Sequence, residues 1–148
     1  MRRPASTLTV DAAVLVAAVR GRSSGALFEA ARAAALVTTD RAVQEAHRRI
    51  ELGLRRPELL GVLGALVDQT TVVPVAALAP MLADSAICLR DAVASRNGSV
   101  ADAHMLALAW CVEADIWTTD RDFAGTGVAT WSTPNLMRAL AAVPGRSG

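Results

Sequence analysis

Short apolar runs alternate along this chain with longer stretches in which apolar residues recur every three or four positions. The short runs, at residues 8–10, 36–38, 71–75, 116–118 and 128–131, are rich in Val, Ile, Leu, Thr and Trp and read as strands. The longer stretches read as helices over residues 14–19, 26–35, 41–52, 57–68, 77–91, 100–114 and 134–143. Punctuation supports the division. Gly21 followed by Ser23 and Ser24 separates the first two helices, and Asp40 offers a cap to the third. Val43, Ala46 and Ile50 give that third helix one apolar face, and Gly53 ends it. Pro57 suits the first turn of the next helix, and Pro80 lies near the start of the one after. Asn97-Gly98 marks a loop over residues 95–99. Pro74 cannot donate to a ladder, so residues 71–75 form an edge or a very short strand.

Strands alternating with helices predict a mostly parallel sheet with helices on both faces, a three-layer α/β/α arrangement. A chain of 148 residues is long enough for one well-buried core, and we expect one domain over residues 1–143 with a loose tail at 144–148. Its hydrophobic fraction of 53% is partly alanine, which implies close helix packing, with some surplus for a subunit or partner surface. No run of about 18 uninterrupted apolar residues occurs, so no membrane span is expected. Arg2 and Arg3 before an apolar run imitate a signal peptide, but Asp11 interrupts the run and no small-residue cleavage site follows. Cys88 and Cys111 sit in apolar helical patterns and read as small buried hydrophobes in a reducing compartment. These features together predict a cytoplasmic protein.

Charge narrows the picture less. The net charge of +1 gives no global field that would gather nucleic acid. Every strongly basic residue is Arg, and Arg41, Arg48, Arg49, Arg55 and Arg56 cluster locally. Most of these read as a solvated face, with Arg48 and Arg49 as candidate contacts to RNA phosphates.

The candidate chemistry lies in carboxylates at element ends. Strand 8–10 runs into Asp11, and strand 116–118 runs into Thr119, Asp120 and Asp122. Asp102 opens the helix before the latter strand. Ligands of open α/β sheets bind at the carboxyl ends of strands, and acids gathered there call for a cation. Oxygen donors suit Mg²⁺ or Mn²⁺. Each acid also has a bland reading. Asp11 is placed to cap a helix. Ser99 with Asp102, and Thr119 with Asp122, match capping boxes. Glu45 has Arg49 four residues on. Singly these readings compete well; together they do not explain why strand-end, helical and helix-opening acids recur in this order.

The pieces Leu8-Thr9-Val10-Asp11, Val37-Thr38-Thr39-Asp40 running on to Glu45, Asp102-Ala103-His104, and Trp117-Thr118-Thr119-Asp120-Arg121-Asp122 resemble the PIN-domain nucleases. Gly125-Thr126-Gly127-Val128-Ala129-Thr130-Trp131 is similar to a bacterial toxin-like subgroup of that family. The resemblance implies a PIN-like fold and RNA phosphodiester cleavage. It implies catalytic roles for Asp11, Glu45, Asp102 and Asp120, and Mg²⁺ or Mn²⁺ held by Asp11, Asp102, Asp120 and Asp122. Thr118 and Thr119 are supporting candidates, able to orient water or a phosphate oxygen. The implied setting is the toxin half of a toxin–antitoxin pair, with RNA as substrate, a cognate antitoxin as partner, and a homodimer as the default assembly. One departure stands out: Ala13 occupies a position that is polar in many relatives, which bears on metal affinity or rate. It gives some weight to a rival reading, a degenerate PIN module that binds RNA or protein without cleaving.

Other chemistries fit less well. His47 and His104 lack zinc-ligand spacing and read as surface or helix-packing residues. Trp110, Trp117 and Trp131 lie in apolar runs and read as core. A receiver domain needs a lysine that this chain lacks, and a haloacid-type phosphatase needs an acid where Ala13 stands.

Overall fold

A computed structural model describes residues 2–21, 24–92, 103–119 and 126–142. Five strands form one sheet: β1 (Thr7–Val10), β2 (Ala35–Thr39), β3 (Thr71–Val73), β4 (Asp115–Trp117) and β5 (Thr130–Trp131). Their order is β3-β2-β1-β4-β5, and every pairing is parallel. The central strands carry buried Leu8, Val10, Leu36, Ile116 and Trp117, as expected of strands covered on both faces. Β3, whose Val72 is exposed, forms one edge, and Pro74 follows directly where it breaks no ladder.

Seven α-helices are described: α1 (Ala12–Val19), α2 (Ser24–Ala33), α3 (Asp40–Arg48), α4 (Leu60–Val67), α5 (Ala79–Ala92), α6 (Ala103–Val112) and α7 (Thr133–Ala141). Their contacts fall into two groups. The first links α1 with α2, α3 and α4, and α2 with α7; the second pairs α5 with α6. Right-handed crossovers account for the division. The chain moves from β1 to β2 to β3 with helices on one face, then reverses direction to reach β4, which puts α5 and α6 on the other. Residues 103–109 of α6 are buried all round, the signature of a helix enclosed on every side.

Several boundaries differ from the sequence reading for local reasons. The helix expected over 41–52 divides into α3 and a π-helical turn at Arg49–Gly53, which leaves Ile50 fully buried. The helix of 77–91 begins with a 3₁₀ turn at Val75–Leu78. Asp40 does not cap α3. Thr39 is the cap, in extended conformation, and its Oγ1 accepts from the Ala42 N–H at 3.0 Å. The Asp40 carboxylate instead accepts from the backbone N–H groups of Arg41 and Val75, both at 2.9 Å. Cys111 is exposed rather than buried, because it lies beyond the enclosed run of α6. The loop of 95–99, the start of the 100–114 helix and the tail at 144–148 lie outside the described residues, as does the side chain of Cys88.

Candidate functional site

The sheet order contains one topological switch point. From β1 the chain first moves outward through β2 and β3, and later adds β4 and β5 on the opposite side. A crevice opens at the carboxyl ends of the two strands that meet there, here β1 and β4. Register puts Val10 opposite Trp117, so the next residues, Asp11 and Thr118, face each other across the mouth. The Asp11 N–H donates to the Trp117 carbonyl at 3.1 Å. Thr118 is 2% exposed, and its Oγ1 donates to Asp11 Oδ2 at 2.7 Å.

That contact bears on the competing readings of Asp11. The residue stands at the cap position of α1, yet its side chain makes no capping hydrogen bond; its backbone carbonyl accepts from Val14 and Leu15. The carboxylate is turned toward β4 instead. A charge-assisted bond of this length is among the stronger side-chain hydrogen bonds, and it fixes where the carboxylate points. On the other flank of β1, Thr38 Oγ1 donates to the Val10 carbonyl at 2.8 Å. The Thr118 backbone N–H donates to the Trp131 carbonyl at 3.0 Å, so β5 steadies the same corner. Thr119 is exposed beside it.

Glu45 sits on α3 in a different environment. It is half-buried and paired with Arg49 across one helical turn, with Arg49 Nη2 2.6 Å from its Oε1. The ion-pair reading of Glu45 therefore describes its present state. Arg48 is exposed and lines a cavity with Val43, Gln44, His47, Glu51 and Leu52. Arg56 is paired with Glu58. Two arginines of the cluster, Arg49 and Arg56, are thus engaged by neighbouring acids on the surface.

No local pattern in the chain points to the link between Thr39 and His104. Thr39 Oγ1 and His104 Nδ1 are hydrogen-bonded at 2.8 Å, joining the end of β2 and the start of α3 to the first turn of α6. His104 is 3% exposed. Burial lowers its pKa to about 4, with the Arg41 charge acting the same way and Glu45 and Asp40 opposing. It is a neutral packing histidine near neutral pH, as its apolar setting implied. His47 is exposed, 3.2 Å from Glu51. Trp117 and Trp131 are core residues, whereas Trp110 packs at the core margin.

Asp102, Asp120 and Asp122 lie outside the described residues. Among the described ones, no group of three or more His, Cys, Asp or Glu side chains is gathered as a metal site. Asp11 and Glu45 are therefore the candidate acids whose placement is on view.

Residues 9–141 match the family model of the PIN domain. The chain belongs to the PIN-domain family. That family has a nuclease-type fold, and the Asp11 corner lies within the matched span. Among solved structures, the crystal structure of PAE2754 from Pyrobaculum aerophilum aligns with a TM-score of 0.64 at 16% identity, covering 93% of this chain and 96% of that one. At such low identity the likeness speaks for the fold alone. No curated protein sequence matches the chain. Among the described residues, no helix is long and apolar enough to cross a membrane.

Proposed function

We propose that this PIN domain is a metal-dependent ribonuclease that hydrolyses RNA phosphodiester bonds. The observation that carries the reading is the Asp11 carboxylate at the switch-point crevice, turned away from its capping role and held by Thr118. Asp11, Asp102, Asp120 and Asp122 would hold Mg²⁺ or Mn²⁺, and Glu45 would complete the catalytic set. All are oxygen donors, which is what such hard cations take. When bound, such an ion would supply water activation and charge neutralisation at the phosphoryl group.

The chain's own side chains do the rest. Thr118 orients the Asp11 carboxylate. The exposed Thr119 offers a hydroxyl to a phosphate oxygen or to water. Glu45 joins the site by leaving Arg49, and Arg48 and Arg49 are then available to RNA phosphates. The setting we propose is the toxin half of a bacterial toxin–antitoxin pair in the cytoplasm, active as a homodimer and blocked by its antitoxin. A second reading, a PIN module that binds without cleaving, draws on Ala13 and on the Glu45–Arg49 pair.

Metal titration and RNA cleavage test both. Binding to the folded state alone raises the melting temperature, so Mn²⁺ should produce heat and an upward shift, and EDTA should stop cleavage of a labelled RNA. No heat and no shift at millimolar Mn²⁺ removes the metal site. Metal binding with every RNA left intact favours the second reading.

A further inference from the structure

Away from the Asp11 corner, on the β5 flank of the sheet, lies a cavity of about 250 Å³. Arg2, Thr130, Trp131, Asn135, Arg138 and Ala139 line it. Two arginines line this space, and none of its described lining residues is acidic. Among the described residues, neither Arg2 nor Arg138 forms an ion pair or hydrogen bond with another side chain. Both are exposed, as are Arg49 and Arg56, but the charges of the latter two are met by neighbouring acids.

The segments that carry the two arginines are anchored. Asp115, the first residue of β4, accepts at Oδ2 from the Ala5 N–H and from Trp131 Nε1, each at 2.9 Å. One carboxylate thereby ties the strand leading in from Arg2 to the tryptophan in the cavity wall. On the other side Ser132 caps α7, accepting from the Asn135 N–H, and Asn135 and Arg138 follow one turn apart on that helix. The Asp115 carboxylate faces these two donors and is not among the residues lining the cavity.

We propose that this cavity binds a phosphate group. Two like charges held together repel, and a bound anion relieves them. Guanidinium forks match phosphate oxygens in geometry and charge, and the Thr130 hydroxyl and Asn135 amide add neutral donors. The phosphate comes either from a small free phosphate or from the backbone of an RNA strand that reaches this flank.

The test uses the full chain in EDTA, so its outcome is independent of metal binding and cleavage. Inorganic phosphate is titrated calorimetrically into the wild type, R2Q, R138Q and R20Q, the last altering an exposed arginine that does not line the cavity. R2Q and R138Q should each weaken phosphate binding about tenfold, the loss of a charged hydrogen bond, and R20Q should not. In parallel, the salt dependence of single-stranded RNA binding is measured. A slope shallower by about 0.7 in R2Q or R138Q identifies the RNA backbone as the source. Weakened phosphate binding with an unchanged RNA slope identifies a free phosphate. Equal phosphate affinity in R2Q, R138Q and wild type with an unchanged slope overturns the proposal. So does a loss in R20Q as large as in the other two, and so does an absence of phosphate binding with an unchanged slope.

Discussion

The strands on either side of β1 end in the same four residues, Thr38-Thr39-Asp40-Arg41 after β2 and Thr118-Thr119-Asp120-Arg121 after β4. Their first two threonines are used in different ways. At the β2 end, Thr38 donates to a backbone carbonyl, Thr39 caps α3 and meets His104, and Asp40 binds two backbone N–H groups. All three polar side chains serve the scaffold. At the β4 end, Thr118 donates to the Asp11 carboxylate and Thr119 is exposed. Register explains the first difference. Thr9 pairs with Val37 on one side, and Val10 pairs with Trp117 on the other. The β4 copy therefore stands one residue further along β1, so Thr118 meets Asp11 where Thr38 meets Val10. A one-residue offset decides which side chain a strand-end hydroxyl can reach. The motif alone does not mark a site; its level along the central strand does.

The largest effect should follow from changing the carboxylate that sets the two ends apart. Asp11→Asn should lower RNA cleavage at least about a thousandfold, some 4 kcal/mol of barrier. Its metal-free stability should stay near wild type, because the Asp11 side chain does not cap α1. Single-turnover cleavage and urea unfolding measure the two quantities. A large stability loss with cleavage preserved would make Asp11 a scaffold residue like Asp40.

The next effect belongs to the β2 end. His104 titrates at 6.5 when unfolded and about 4 when folded, so below pH 6.5 the unfolded chain takes up a proton that the folded chain refuses. Its contribution is complete above pH 6.5 and is lost as the pH falls to about 4, where the loss reaches about 3 kcal/mol. Unfolding free energies at pH 7 and pH 4.5 should diverge more for the wild type than for His104→Gln. Equal pH dependence in the two proteins would remove His104 as the buried anchor of this end.

A matched pair of substitutions sharpens the comparison further. Thr118→Val and Thr38→Val each delete a single hydroxyl bond and cost about 1–2 kcal/mol of folding stability. Only Thr118→Val should also weaken Mn²⁺ binding, by about tenfold or more, since it releases the carboxylate. Equal Mn²⁺ affinity in the two variants would erase the functional difference between the strand ends.

The smallest expected change is at Glu45 and Arg49. Breaking this exposed pair with Glu45→Gln or Arg49→Gln should shift stability by no more than about 0.5 kcal/mol. Cleavage should fall in Glu45→Gln and should not fall from loss of the pair alone in Arg49→Gln when saturating RNA is used. Loss of activity in neither variant would leave Glu45 as a surface ion pair.

Much of this architecture was legible in the residues. The alternation of short β-branched runs with helical patterns carries the parallel sheet, Pro74 marks the edge strand, and the step from Val10 to Asp11 points to the crevice. Other features depend on partners far apart in the chain. Thr39 and Asp40 are both good capping residues, and only the extended backbone of Thr39 decides between them. The Thr39–His104 bond spans 65 positions, beyond any local pattern. Cys111 follows an apolar run that implies burial, but the enclosed part of α6 stops before it. The strand expected over 128–131 keeps only Thr130 and Trp131 as β5; Ala129 leads into it, its carbonyl accepting from the Ile116 N–H at 2.8 Å.

Order of synthesis gives the Asp11–Thr118 contact a consequence in time. Its two partners are 107 positions apart, whereas β1 meets β2 across 28. Chain closure over the longer span costs more entropy, and contacts of that range form late. A growing chain emerges N-terminus first, so β1, β2 and β3 are all made before Thr118 exists. Until β4 docks, the Thr118 hydroxyl is not in place at Asp11 and the β4 side of the crevice is missing. The corner proposed to cleave RNA is therefore assembled late, once β1, β2, β3 and β4 have all been made.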